Sequence, residues 1–343
     1  MPQTELEEIL RLVKDLHNGF FKQVSPLVST MTFAEYADAF HHQRTICATV
    51  SEATLQKDAS LISVLKRYFG NTTFDCLDPR KVRSAFKDLQ LDKPNYSKTF
   101  LNMLHTKLHH ILQQAVSDNL LLANPCNQVQ SPRPDTQSRN CLDLEEVRRL
   151  HHILREHPNM DSRIVAVQLA LATGMRKGEI LGLQWKHIDF ENCRIFVLQS
   201  LGKKKTVLPP KTKSGKRALA IGAAACHQLE RWQQSQQAFF EKKGLRHDDN
   251  TPVITDRNGT FRDYANFDTW LRSFFSKWDF SHISMHGLRH THATLLLAAG
   301  VDYKTIQARL GHTDAALTLN LYTHSIVERD EISAQTMDQL LGN

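Results

Sequence analysis

Tyr322, in Asn320-Leu321-Tyr322-Thr323-His324, stands ten residues after His312 in Leu310-Gly311-His312-Thr313-Asp314. A tyrosine hydroxyl is a poor nucleophile near neutral pH, because its pKa lies near about 10. Cationic neighbours would favour the phenolate and neutralise a phosphate under attack. Two arginines and two histidines could supply them. His286 and Arg289 are three residues apart in His286-Gly287-Leu288-Arg289, at the start of a helix with an apolar interior. Both can face one point from a helix N-terminus, where anions are favoured. In Ala172-Thr173-Gly174-Met175-Arg176-Lys177-Gly178-Glu179, Gly174 breaks one helix and Arg176 begins the next. A second guanidinium, whose planar fork suits phosphate oxygens, is thereby aimed from a helix start. Glu179, one turn on, can hold that fork or a neighbouring side chain. Taken singly, each piece is equally an exposed ion pair or a chance spacing.

The elements that must position these residues fall into two groups. Residues 32–130 read as all-helical: Leu55, Ala59, Ile62, Leu65 and Phe69 mark one apolar stripe, and Leu101, Leu104, Leu108, Ile111, Leu112 and Ala115 another. Asp78-Pro79 starts a third helix, which carries Arg80, Lys81, Arg83 and Lys87. Single stripes on several helices imply a small bundle with these cations outside, either as solvated surface or as phosphate contacts. Residues 131–140, with Ser131-Pro132-Arg133-Pro134, read as a linker. A mixed domain follows over residues 141–325. Ile164 to Ala172 is apolar except for Gln168 and reads as a helix buried on most sides. Strands are expected at His187–Phe190, Arg194–Leu198, Thr206–Leu208 and Arg217–Ile221, and helices from Ala223 and at Tyr264–Trp278, Leu288–Ala299, Tyr303–Leu310 and Asp314–Thr323. Residues 1–31 form a helical extension, with an amphipathic helix at 4–17, and residues 326–343 a tail helix. The expected class is mostly α with a small antiparallel sheet.

The whole chain of 343 residues carries a formal charge of +7. That balance is compatible with a polyanionic partner but shared by many plain enzymes. Its distribution says more: Lys203, Lys204, Lys205, Lys211, Lys213, Lys216 and Arg217 fall within one acid-free run, which is a solvated loop or a loop lying against phosphates. The six cysteines form no C-x-x-C pair and are expected as reduced core thiols. The eighteen histidines include adjacent pairs whose side chains diverge on a helix, and no metal site is expected. No apolar run is long enough to span a bilayer, and the N-terminus lacks the pattern of a secretory signal.

The stretches "ATGMRKGEILGLQW", "PKTKSGKRALAI" and "HGLRHTHATLLLAAGVDYKTIQARLGHTDAALTLNLYTH" together resemble the tyrosine site-specific recombinases, or phage integrases. The resemblance implies an all-helical core-binding domain and an α+β catalytic domain clamped around duplex DNA. It implies that Arg176 and Arg289 hold the scissile phosphate, that His286 and His312 assist proton movement, and that Glu179 supports them. Lys213 matches the mobile lysine that protonates the leaving 5′ oxygen, with Lys211 and Lys216 close by. Tyr322 would form a 3′-phosphotyrosine, and no metal, nucleotide or other cofactor is required. Lys203, Lys204, Lys205, Lys211, Lys216, Arg217, Arg80, Lys81 and Arg83 are the expected DNA contacts. The implied partners are double-stranded recombination sites, further copies of the chain up to a tetramer in the synapse, and accessory DNA-bending or directionality proteins.

Residues 1–31 are too short and too helical for the strand-rich arm-site domain of many mobile-element integrases. An Xer-like resolvase or invertase arrangement stays open for that reason. A type IB topoisomerase would share the tyrosine chemistry, but a tail with Ile332, Met337, Leu340 and Leu341 either docks as the helix exchanged between protomers that the resemblance implies or folds back on its own domain. A metal-dependent nuclease would need a carboxylate cluster that the sequence lacks. The expected setting is the cytoplasm of a prokaryote, on nucleoid DNA.

Overall fold

A computed structural model of the chain describes residues 31–47, 50–133, 141–157, 161–202, 204–209 and 215–311. The helices expected at 4–17 and 314–323, most of the linker and the tail lie outside these residues. The chain divides into two compact units, Met1–Thr136 and Gln137–Asn343.

The described part of the first unit is a helical bundle of α1 (Phe33–Ile46), α2 (Glu52–Phe69), α3 (Pro79–Asp92) and α4 (Lys98–Ser117). Each begins where the sequence supplies a side-chain acceptor for the orphan amides of a first turn. Thr32 and Glu35 form a reciprocal capping box, Ser51 and Ser97 cap α2 and α4, and Asp78 caps α3 ahead of Pro79. The apolar stripes meet in one core, in which Phe33, Leu65, Leu104, Leu108, Ile111 and Leu112 are fully buried. Asp58 is drawn into that core with Lys107, at 2.6 Å, and Arg44, at 3.3 Å. Arg80 and Arg83 are exposed and Lys81 is half-buried. The Asp78 cap on the Lys81 amide, at 2.7 Å, sets where this basic face of α3 begins.

The described part of the second unit combines helices with two small antiparallel sheets. The helices are α5 (Leu144–Arg155), α6 (Ser162–Thr173), α7 (Lys177–Leu181), α8 (Ala223–Lys243), α9 (Tyr264–Lys277), α10 (Met285–Ala298) and α11 (Tyr303–Leu310). One sheet orders β1 (Ile188–Asp189), β2 (Arg194–Val197) and β5 (Arg217–Ala220), with Ile195 opposite Leu219 and Val197 opposite Arg217. The other pairs β3 (Ser200–Leu201) with β4 (Val207–Leu208). The mostly helical class with small antiparallel sheets is as expected. The strands are shorter than their apolar patterns, and β3 has no sequence signal because Ser200 and Leu201 are held by pairing with β4 and by packing against distant helices. Helix α10 starts three residues before Leu288, because Ser284 caps it by accepting from the Gly287 amide. Helix α6 is buried on most sides, and α10 packs along it.

One expectation is corrected. The six cysteines are free, but only Cys126 and Cys226 are buried, while Cys47 and Cys76 are exposed. Cys47 sits just past the last turn of α1 and Cys76 in a surface 3-10 turn, outside the stripes that build the core.

Candidate active site

The site in the second unit is built at helix ends. Gly174 closes α6 in the left-handed region, with φ 64°. A Cβ there would lie 2.7 Å from both the His292 ring on α10 and Leu310 on α11, so glycine is needed for space as well as for φ. The turn delivers Arg176 to the N-cap of α7, whose Gly178 packs so tightly on β3 that a Cβ would stand 2.4 Å from Ser200 Oγ. Helix α10 brings His286 and Arg289 from its first turns, and α11 ends at Gly311, again left-handed at φ 66°.

Arg176, Arg289 and His286 line one cleft of about 920 Å³, together with Lys177, Glu179, Tyr264, Asp268 and Arg272. Arg289 is the deepest, with 2% of its surface exposed. Its Nη1 donates to the Gly174 carbonyl at 2.7 Å and its Nη2 to the Leu310 carbonyl at 2.8 Å. Burial, and then the charge of Arg176, pull its pKa down to about 9, which leaves it cationic at neutral pH. Arg176 is 43% exposed, donates to Glu179 Oε1 at 2.9 Å and reaches the Gly311 carbonyl at 2.9 Å. The two forks thus grip successive carbonyls at the C-terminus of α11, where the helix dipole is negative. Each guanidinium has five N–H groups, and these contacts occupy only some of them.

Glu179 is the acidic keystone, 3% exposed. Burial would raise its pKa, but Arg217 first and Arg176 second hold it below the ordinary carboxylate range. Lys177 is engaged by Asp268 at 2.6 Å and lies over the Tyr264 ring. Tyr264 is the tyrosine that lines the cleft among the described residues, but burial and the charges of Asp268 and Glu179 raise its pKa, the opposite of what a nucleophile needs. His286 is exposed on the rim and edge-on to His290, with ring centroids 4.4 Å apart. Beneath the arginines, His292 bonds the Leu171 carbonyl through Nδ1 at 2.8 Å and meets Arg309 Nε through Nε2 at 3.1 Å. Burial pulls its pKa down to about 4, so it stays neutral and can serve both partners.

The structure therefore brings Arg176, Glu179, His286 and Arg289 together. Lys213, His312 and Tyr322, with Lys203 and Lys211, lie outside the described residues. Lys204 and Lys216 are exposed, and Lys205 is paired with Asp256 at 3.1 Å. Arg217, grouped by sequence with the DNA-contacting lysines, needs correction. Its side chain is 7% exposed and pairs with Glu179 at 2.9 Å. Alternation along β5 carried the signal: Arg217 shares a face with the buried Leu219, so it points inward. Lys177, Tyr264, Asp268, His292 and Arg309 were missed, because their partners come from distant segments.

The sequence model of the phage integrase family matches residues 140–329. The ICEBs1 integrase of Bacillus subtilis (strain 168) is 29% identical over 277 residues, which is 80% of this chain and 74% of that protein. Among solved structures, the Tn1549 transposon integrase in complex with a circular intermediate DNA superposes with a TM-score of 0.76 at 20% identity. That match covers 90% of this chain and 99% of the other. A lambda integrase tetramer bound to a Holliday junction gives a TM-score of 0.58 at 16% identity, over 92% and 88% of the two chains.

Proposed function

The chain belongs to the phage integrase family and is a tyrosine site-specific recombinase, and from that premise we propose how its residues divide the chemistry. Tyr322 attacks the scissile phosphate and forms a 3′-phosphotyrosine, while the 5′ oxygen leaves. Arg176 and Arg289 bind the non-bridging oxygens and stabilise the charge that builds on them. His286 and His312 hydrogen-bond the phosphate and assist the proton leaving Tyr322. Lys213 protonates the 5′ oxygen. The 5′-hydroxyl of a partner strand then displaces Tyr322, so each phosphodiester broken is replaced by another. Glu179 holds Arg176 and touches no reacting atom.

One observation carries this reading. Two arginines on different helices turn their forks into a single cleft, and both are anchored on the carbonyls that end α11, one and two residues before His312. Such prepositioned cations need no reorganisation when charge develops. On the DNA, the exposed Arg80, Arg83, Lys204 and Lys216 contact backbone phosphates, with Lys81, Lys203, Lys205 and Lys211. The first unit is the core-binding domain. Further copies of the chain complete a tetramer in the synapse, a reading supported by the assembly named for lambda integrase. Integration or excision of a mobile element in bacterial cytoplasm is the outcome the named relatives favour.

The deciding experiment uses a nicked suicide duplex built from the DNA junctions that flank the gene. Tyr322→Phe should bind it with unchanged affinity but form no covalent adduct on a denaturing gel. An adduct with the Phe variant would remove Tyr322 as the nucleophile.

A further inference from the structure

Arg217 donates four hydrogen bonds within the described part of the site. Its Nη2 and Nη1 reach Glu179 Oε2 and Oε1 at 2.9 and 3.2 Å, its Nε donates to the Arg309 carbonyl at 2.6 Å, and Nη1 also reaches the Gly215 carbonyl at 3.1 Å. Glu179 in turn receives the Arg176 amide on Oε2 and Arg176 Nη1 on Oε1, both at 2.9 Å. A carboxylate offers about four lone-pair sites, so with four donors its orientation is fully determined. One buried guanidinium thereby joins three places in the chain. They are Glu179 on α7, Gly215, two residues after Lys213, and the last turn of α11, three residues before His312.

We propose that Arg217 is a positioning residue for strand cleavage: it fixes the Glu179 carboxylate so that the Arg176 fork keeps one orientation, and it ties Gly215, two residues after Lys213, to the same frame. The inference rests on the recombinase reading above and deepens it. Without Arg217, Glu179 would keep only Arg176 as a close cationic partner. The other groups facing it are Arg289 from α10, which favours its ionised form, and Tyr264 from α9. Its pKa would rise, and protonation would release Arg176.

Arg217→Lys keeps a charge but cannot span the carboxylate and two carbonyls. The test uses the full chain and the nicked duplex, with single-turnover cleavage measured at saturating protein across pH 5–8, alongside duplex affinity. Arg217→Lys should lower the cleavage rate about 100-fold, the loss caused by misplacing a reacting group by about 1 Å. Affinity should stay constant, and the acid limb of the rate should move to higher pH. A 5′-bridging phosphorothiolate, which needs little protonation of the leaving group, should restore Lys213→Ala almost fully but Arg217→Lys only in part. Arg217→Gln placed on Glu179→Gln should add little further loss. The proposal is overturned by wild-type cleavage with an unmoved acid limb, by a defect in affinity alone, or by additive losses in the double variant. If Arg217→Gln does not fold, Arg217→Lys and its pH profile decide. Failure of the underlying reading looks different, because Tyr322→Phe would then still form the adduct.

Discussion

Asp58 in the first unit and Glu179 in the second are both buried carboxylates held by two cations, and the outer cation of Glu179 alone lines the cleft described above. Asp58 meets Lys107, whose side chain is 8% exposed, at 2.6 Å and the partly exposed Arg44 at 3.3 Å, and all three belong to helices of one bundle. Glu179 is shared between Arg217, 7% exposed, and Arg176, 43% exposed and lining the cleft. Taking two ions out of water costs nearly as much as their attraction returns, so the first pair adds little over a well-packed apolar pair. The second arrangement has a different consequence: the inward arginine neutralises the acid, and the outward one is left ordered and facing an anion site. A buried acid thus pins helices in one unit and orients a cation for chemistry in the other.

That contrast can be broken by substitution. Asp58→Ala leaves Lys107 charged and unpaired in the core and should cost about 3–5 kcal/mol of stability. A guanidinium melt of the full chain should show it in the first unit, while Asp58→Leu with Lys107→Met should recover most of the loss. If the single variant melts like the wild type, the pair is not buried in the way described.

Arg176→Ala should do the reverse. We expect a loss of about 3–4 kcal/mol in transition-state stabilisation, read as single-turnover cleavage. The melt should move little, because Arg217 still neutralises Glu179. A melt that falls as far as that of Asp58→Ala would erase the distinction between the two carboxylates.

The smallest expected effect is a pH dependence of the second unit. His292 has a pKa near about 4 when folded against an ordinary value of 6.5, so the unfolded chain binds the proton more readily. Its contribution is complete above pH 6.5 and is lost as pH falls towards 4. At pH 5 the loss is about 2 kcal/mol. His105 in the first unit, lowered by burial, acts with the same sign. Melting the wild type and His292→Asn at pH 7.5 and 5 isolates the larger share, and equal slopes for the two proteins would assign the acid sensitivity elsewhere.

Local punctuation made a good part of the site legible. Gly174 as a stop, Arg176 as the start of the next helix and Glu179 one turn on are read within a few residues, where backbone sterics and capping act. His286 and Arg289 at the start of α10 are legible for the same reason, and so are the apolar stripes of the bundle helices, because burial follows a 3.6-residue period.

Pairing across the chain was decided by tertiary structure alone. Arg289 bonds a carbonyl 115 residues away, Arg176 one 135 residues away, and Glu179 finds Arg217 at a separation of 38. The inward face of β5 hinted that Arg217 is internal, but its partner depended on how α7 packs against β3 and how α11 closes on the turn at Gly174. A helix end offers carbonyls to any nearby cation. Which cation takes them is set by packing contacts between α6, α10 and α11, and those contacts leave no trace in local residue preferences.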